Sequence, residues 1–255
     1  MPESKSIPHD IYRGQTLVFG HRGAKAYAPM NTLPAFELAA QQGADGVELD
    51  VHFSEDRELI VLHDFTVDGT TNGSGRARDM TLAKLKELDA GRWFGEEFKN
   101  TRIPTLDEVC EAVGSRLYIN VEIKVEAADT EGLEQAIAST IARWLMQRRV
   151  IVSSFDFPVL QRLRQMQPDL PIGFLHSEPT NVTQLAAIIG ATNLDALHPH
   201  HTLVDALYMQ WAEEHGYLIN TWTVNDPARA VELRDLGVDG IITDNPDTVL
   251  AALGR

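Results

Sequence analysis

From residue 16 onward the chain alternates between short runs of β-branched and aliphatic residues and longer stretches whose apolar positions recur every three or four residues. Extended runs fall near 16–20, 46–51, 117–123, 150–154, 171–175, 194–197, 218–223 and 240–243. Helical spacing fills most of the gaps, at 32–41, 133–147, 158–166, 205–215, 227–236 and 246–252. Eight strands linked by helices within 255 residues predict an α/β chain folded as a (β/α)8 TIM barrel, one domain over 1–255. An open doubly wound sheet satisfies the same alternation and stands as the other arrangement. A ninth apolar run, 59–62, follows the polar turn 54–57 and reads as the returning arm of a hairpin, not as a barrel stave. The stretch 65–104 breaks the rhythm with a turn-rich 68–75, a helix candidate at 82–88 and the aromatic residues Trp93, Phe94 and Phe98. It is expected to form either a small cap inserted after the His63 strand or an elaborate crossover with a satellite core of its own.

Polar residues placed inside these strands point to chemistry. In 46–51, Glu48 and Asp50 share one face while Val47, Leu49 and Val51 share the other. A buried pair of carboxylates is costly unless a cation neutralises it, and a divalent metal is the simplest such cation. If Phe53 faces Glu58 across the hairpin turn, antiparallel pairing sets His63 opposite Glu48 and brings an imidazole to the acids. A slip of one residue would turn His63 away. The run 117–124 repeats the pattern, with Asn120, Glu122 and Lys124 on one face and Ile119, Val121 and Ile123 on the other. Glu122 then supplies a third oxygen ligand suited to a hard cation, Mg2+ or Ca2+, and Lys124 is free to meet an anionic oxygen; a structural Glu122–Lys124 ion pair is the plainer alternative.

The first strand ends in Gly20-His21-Arg22-Gly23, an imidazole and a planar guanidinium at the end of the barrel where chemistry gathers. Trp222 shares a face with Asn220 near the end of a late strand, in a position to line a ligand site or pack in the core. Thr243 or Asp244 is expected to cap the helix that follows. His198, His200 and His201 read as substrate-side or surface residues, since Pro199 disrupts any regular ligand spacing.

Composition narrows the partners. Thirty-seven acidic against 22 basic residues give a formal charge of −15 with no basic block, which argues against nucleic acid and against stable association with an anionic membrane. An anionic substrate would need a local positive field from a metal and one or two basic side chains. The lone Cys110 excludes an intrachain disulfide framework and is expected to be a small core residue. Residues 1–16 lack the apolar segment of a secretory signal, and no apolar run is long enough to cross a bilayer, so a cytoplasmic location is expected.

Together, His21-Arg22-Gly23, Pro29-Met30-Asn31-Thr32, Glu48-Leu49-Asp50, His63-Asp64, Glu122-Ile123-Lys124, Trp222 and Thr243-Asp244 resemble the glycerophosphodiester phosphodiesterase family, in particular its cytoplasmic bacterial members. The resemblance spans about 16–252 and implies a TIM barrel that hydrolyses small-molecule glycerophosphodiesters to glycerol 3-phosphate and an alcohol. It implies one divalent cation, Mg2+ or Ca2+, held by Glu48, Asp50 and Glu122. His21 and His63 would form the acid and base pair, with Arg22 and Lys124 on the phosphate and Trp222 beside the substrate. It also implies attack by the substrate's free glycerol hydroxyl, passing through a cyclic phosphate. Two positions depart from the family pattern: Met30 stands where Glu is usual, and Gly69 where Arg is common. Three other readings remain: a lysophospholipase D-type phosphodiesterase with the cap around Trp93 and Phe94 holding an acyl chain, a catalytically silent phosphate-binding barrel, and an aldolase with a Schiff base on Lys124.

Overall fold

Eight parallel strands close into a ring in the computed structural model, which describes residues 11–12, 14–126, 130, 132–178, 182–189 and 192–255. They are β1 (Leu17–His21), β2 (Gly46–Phe53), β4 (Tyr118–Ile123), β5 (Val150–Ser154), β6 (Ile172–His176), β7 (Ala196–Pro199), β8 (Leu218–Thr221) and β9 (Gly240–Thr243), with β3 (Leu59–Val61) antiparallel to β2 outside the ring. Pairing of β1 with both β9 and β2 closes the barrel and excludes the open doubly wound sheet.

Strand alternation sorts the side chains. Val47, Leu49, Val51, Ile119, Val121 and Ile123 face outward into the main core, where they meet Phe36 and Ala39 of the helix Leu33–Gln41 and Val109 and Val113 of the helix Leu106–Val113. Cys110 is buried in the same layer. Inside the ring, Ile11, Tyr12, Leu17, Phe19, Ile151, Ala196, Leu218 and Ile242 form a separate apolar cluster. Gly46 leaves space for Phe19, whose ring would lie 2.5 Å from any Cβ at that position. Above this apolar floor the inward positions of β2 and β4 are polar.

The helices Leu33–Gln41, Phe157–Met166, Ala206–His215, Pro227–Leu236 and Pro246–Ala252 match their apolar periodicity. The helix expected over 133–147 stops earlier, at Arg143, and the chain turns at Leu145 with φ 56°. There, Arg143 and the Trp144 indole both bind Asp107 of the neighbouring helix, at 2.6 and 2.5 Å, a tertiary contact that no Gly or Pro announces. Helix Leu106–Val113, not picked out above, opens on a capping box between Thr105 and Glu108.

The insertion holds its own core of Val67, Ala77, Leu85 and Ala90, together with Ile60, Leu62 and Ile103 at its borders. Its α-helical turn is only Leu82–Leu85. Trp93, Phe94 and Phe98 pack edge to face at its surface.

Two expectations are corrected here. His198 is neither substrate-side nor at the surface: it is fully buried, 3.0 Å from the Asn220 amide, which in turn donates to the Tyr12 hydroxyl at 2.5 Å. The side-chain-free Gly173 on β6 leaves the space its ring occupies. Neither Thr243 nor Asp244 caps the last helix, because Asn245 occupies the cap position and Asp244 is engaged elsewhere. The reading of the N-terminal segment falls largely on 1–10 and 13, outside the described residues. Among the described residues no helix is long and apolar enough to cross a membrane.

Candidate active site

The loop after β1 turns sharply because Arg22 and Gly23 both take positive φ, 54° and 86°. Only glycine fits at the second position, where a Cβ would meet the Ala35 backbone at 2.6 Å. The turn aims the Arg22 amide at Glu48 Oε2, 3.1 Å away, and brings Arg22 Nε within 3.3 Å of Asp50 Oδ2. Asn31, also at positive φ (56°), accepts no such strain idly: its amide donates to Asp50 Oδ2 at 2.8 Å, and its backbone N–H donates to the Arg22 carbonyl at 2.9 Å. Met30 lies beside the same guanidinium, its sulfur 3.4 Å from Nη1.

Strand register assembles the acids. His21 on β1 lies beside Glu48 on β2, and Glu48 beside Asn120 on β4; two residues further, Asp50 lies beside Glu122. Glu48, Asp50 and Glu122 are all buried, and one oxygen of each lies within 4.8 Å of the others. Burial pushes the Glu48 carboxyl well above its usual range, with the charges of Asp50 and Glu122 adding to the effect. Glu122 is raised to about 7 by burial and by Asp50, against the pull of Lys124. Asp50 goes the other way: burial opposes its charge, but Arg22, Lys124, His63 and the Asn31 amide outweigh it and hold the carboxyl low. Three buried carboxylates, all hard oxygen donors, with Asp50 Oδ1 making no hydrogen bond, suit a hard divalent cation.

Lys124 departs from expectation. It is not free: Nζ donates to Glu122 Oε1 at 2.9 Å and sits 3.6 Å from Asp50 Oδ1. Burial opposes its charge, but Glu122 and Asp50 more than compensate and raise its pKa. Two carboxylates beside the ammonium favour its charged form, the reverse of what a Schiff-base lysine needs.

The two histidines reach the site by different routes. His21 ends β1, with Nε2 4.0 Å from Glu48 Oε2 and Nδ1 2.6 Å from Asp244 Oδ1. Burial works against the Asp244 charge, yet the His21 and Asn225 hydrogen bonds and Lys25 hold its carboxyl at about 2, so it is ionised and can only accept. Nδ1 therefore carries the proton and Nε2 is left for the cavity. Burial keeps His21 itself below the usual histidine range. Sequence reasoning assigned Asp244 to a cap and missed this contact, since the two residues are 223 positions apart.

His63 does not stand in the predicted register. The hairpin pairs Val51 with Val61, His52 with Ile60 and Phe53 with Leu59, one residue off a Phe53–Glu58 pairing. Ser54 causes the shift: its N–H bonds the Glu58 carbonyl and its hydroxyl accepts from the Glu58 N–H, leaving a three-residue loop, 55–57, with Arg57 at φ 63°. Continued strictly, that ladder would turn His63 away. Strand β3 ends at Val61, however, and the chain bends so that His63 lines the same cavity, its Nδ1 2.7 Å from Asp64. Burial lowers its pKa, against the pull of Asp50.

These groups surround one cavity of about 240 Å³ at the C-terminal end of the strands. His21, Arg22, Glu48, His63, Glu122 and Lys124 make its polar side. Phe155, Leu175, Trp222 and Ile242 make an apolar wall, in which Trp222 meets Phe155 edge-on at 5.5 Å and donates its indole N–H to the His198 carbonyl at 2.8 Å. Trp93 and Phe94 are not among the lining residues, so any acyl chain would meet Phe155 and Trp222 instead. The buried His52, packed against Phe65, was also missed; the period-2 alternation of β2 places it on the face of Glu48 and Asp50.

Comparison with known proteins bears on this arrangement. Residues 21–248 match the model of the glycerophosphoryl diester phosphodiesterase family. The chain is 39% identical over 243 residues to a glycerophosphodiester phosphodiesterase of Caldanaerobacter subterraneus subsp. tengcongensis, covering 92% of this chain and 97% of that one. It is 33% identical over 248 residues to a glycerophosphodiester phosphodiesterase of Bacillus subtilis, covering 91% and 84%. Among solved structures, a phosphodiesterase of Oleispira antarctica in complex with the product sn-glycerol-3-phosphate superposes with a TM-score of 0.83 at 30% identity, covering 96% of this chain and 99% of the other.

Proposed function

The chain belongs to the glycerophosphoryl diester phosphodiesterase family, and from that premise we propose that its cavity hydrolyses glycerophosphodiesters to sn-glycerol 3-phosphate and an alcohol, using one divalent cation and a histidine pair. The observation that carries this reading is the convergence of three buried carboxylate oxygens within 4.8 Å, flanked by His21 and His63, on a single cavity.

Glu48, Asp50 and Glu122 are the residues that would hold the cation, Mg2+ or Ca2+, which when bound would neutralise their mutual repulsion and supply Lewis-acid stabilisation of charge on the phosphate. Arg22 and Lys124 reach the phosphate from either side of the acids. One histidine accepts the proton of the glycerol hydroxyl as its oxygen attacks phosphorus, and the other protonates the departing alcohol oxygen. The cyclic phosphate so formed is opened by water with the proton roles exchanged, giving glycerol 3-phosphate. Asp244 and Asp64 each fix an Nδ1–H tautomer and so leave Nε2 to move the proton. The apolar wall of Phe155, Leu175 and Trp222 receives the head group. A cytoplasmic setting goes with this reading.

The test is incubation with glycerophosphocholine and Mg2+ or Ca2+, measuring glycerol 3-phosphate release. Release that chelator abolishes is the expected result. No release from any common glycerophosphodiester would overturn the proposal.

A further inference from the structure

Asn120 is the exception among the polar side chains of the cavity. It is 2% exposed, sits beside Glu48 in the β2–β4 register, precedes Glu122 by two positions and lines the cavity. Neither its Oδ1 nor its Nδ2 makes a hydrogen bond within the protein. Its neighbours each have at least one partner: Glu48 accepts from the Arg22 amide, Asp50 from Asn31, Glu122 from Lys124, and His21 donates to Asp244. The buried amide of Asn220 is engaged through Nδ2, only its Oδ1 lacking a partner. A buried amide with both halves unsatisfied destabilises a fold unless a ligand or a water completes it, and this one opens onto the cavity that takes the substrate.

The chemistry of the amide selects that ligand. A phosphate oxygen only accepts and would use Nδ2 alone, while a cation would use Oδ1 alone. A hydroxyl both donates and accepts, and two neighbouring hydroxyls engage both halves of an amide at once. Glu48 and Glu122 on either side disfavour a further anion at this point and leave a neutral polyol as the group that fits. Resting on the glycerophosphodiester reading above, we propose that Asn120 is a specificity residue for the glycerol moiety, Nδ2 donating to one hydroxyl oxygen and Oδ1 accepting from a hydroxyl proton.

The experiment compares binding of sn-glycerol 3-phosphate and propyl phosphate, which share a phosphate and a three-carbon chain but differ in the hydroxyls. Calorimetric titration at fixed Mg2+ is run on wild type, Asn120→Leu and Asn120→Ala, with Tm measured on each. Wild type is expected to prefer glycerol 3-phosphate by roughly tenfold or more, the range of one or two hydrogen bonds. Either variant should lose most of that preference while holding propyl phosphate within about twofold, because only the hydroxyl contacts are removed. In Asn120→Leu, Tm should stay level or rise, since no protein hydrogen bond is lost; the alanine variant gives the same comparison if leucine packs poorly. A fall in Tm with the preference intact makes Asn120 a structural residue and overturns the proposal. Wild type that hydrolyses glycerophosphocholine yet keeps its preference in both variants overturns the Asn120 assignment alone. Wild type that neither hydrolyses glycerophosphocholine nor prefers glycerol 3-phosphate overturns the parent reading with it.

Discussion

Asp244, at the end of β9, holds His21, at the end of β1, by a 2.6 Å hydrogen bond to Nδ1. Asn225 steadies the carboxylate from the other side, donating to Oδ2 at 2.9 Å. Asp244→Asn offers Nδ1 a donor or a weaker acceptor and allows the ring to take the other tautomer. The expected outcome is a fall in kcat of roughly 100-fold or more with KM changed far less, read from initial rates on glycerophosphocholine. An unchanged kcat would show that the contact is only structural.

The pH profile follows from the same environment. Burial lowers His21 and His63 below their ordinary value of 6.5, and a base works only when neutral. The acid limb of kcat/KM is therefore expected to fall with an apparent pKa below 6.5. A limb centred above 7 would contradict this placement of the histidines.

Binding of a cation to the native acids alone must raise stability through linkage. Mg2+ or Ca2+ at 100 times its Kd should stabilise the protein by about 2.7 kcal/mol, seen as a rise in Tm. In Glu48→Ala and in Glu122→Gln the rise should shrink or vanish, whereas His63→Ala should keep it while losing turnover. This separates a ligand from a proton carrier without relying on rate.

Asp239 carries a pH-dependent cost. Burial lifts its carboxyl to about 6, partly offset by the hydrogen bond it accepts from the Ile219 N–H. Its folded-state pKa is raised, so the folded protein binds the extra proton between about pH 4 and 6; stability falls as pH rises through that window and the cost is complete above it. Asp239→Asn keeps an acceptor and removes the charge. It should stabilise by on the order of 2–3 kcal/mol at pH 8 and by far less at pH 4, measured by urea unfolding at each pH.

Leu145 offers a test of backbone strain away from the site. It is 82% exposed and holds φ 56°, a region that costs a branched L-residue about 1–2 kcal/mol relative to glycine. Leu145→Gly should raise stability by about 1 kcal/mol with no change in activity, checked by thermal and urea denaturation.

The barrel was readable because every stave carries its own two-faced pattern: Val47, Leu49 and Val51 must turn to the helices, which leaves Glu48 and Asp50 to the interior. The grouping of the three acids followed from two strands alone. What stayed hidden depends on partners distant in sequence. Asp244 looks like a cap until β1 and β9 are side by side, and His198 looks like a surface residue until Gly173 is seen to make room for it. The helix end at Arg143 answers to Asp107 on another helix, and the hairpin register to the Ser54–Glu58 bonds. Lys124, expected to be free for an anionic oxygen, is held by Glu122 and Asp50, because a buried ammonium needs counter-charges nearby.

Leu62 belongs to two structures at once. Its backbone N–H donates to the Asp50 carbonyl at 3.0 Å, while its side chain packs in the core of the insertion with Ile60, Val67 and Leu85. The height at which the next residue, His63, meets the cavity is thus inherited from a hydrophobic nucleus that lies outside the barrel. Grafting a different insertion onto this barrel would have to reproduce the seat of one leucine before it could reproduce the reach of the histidine.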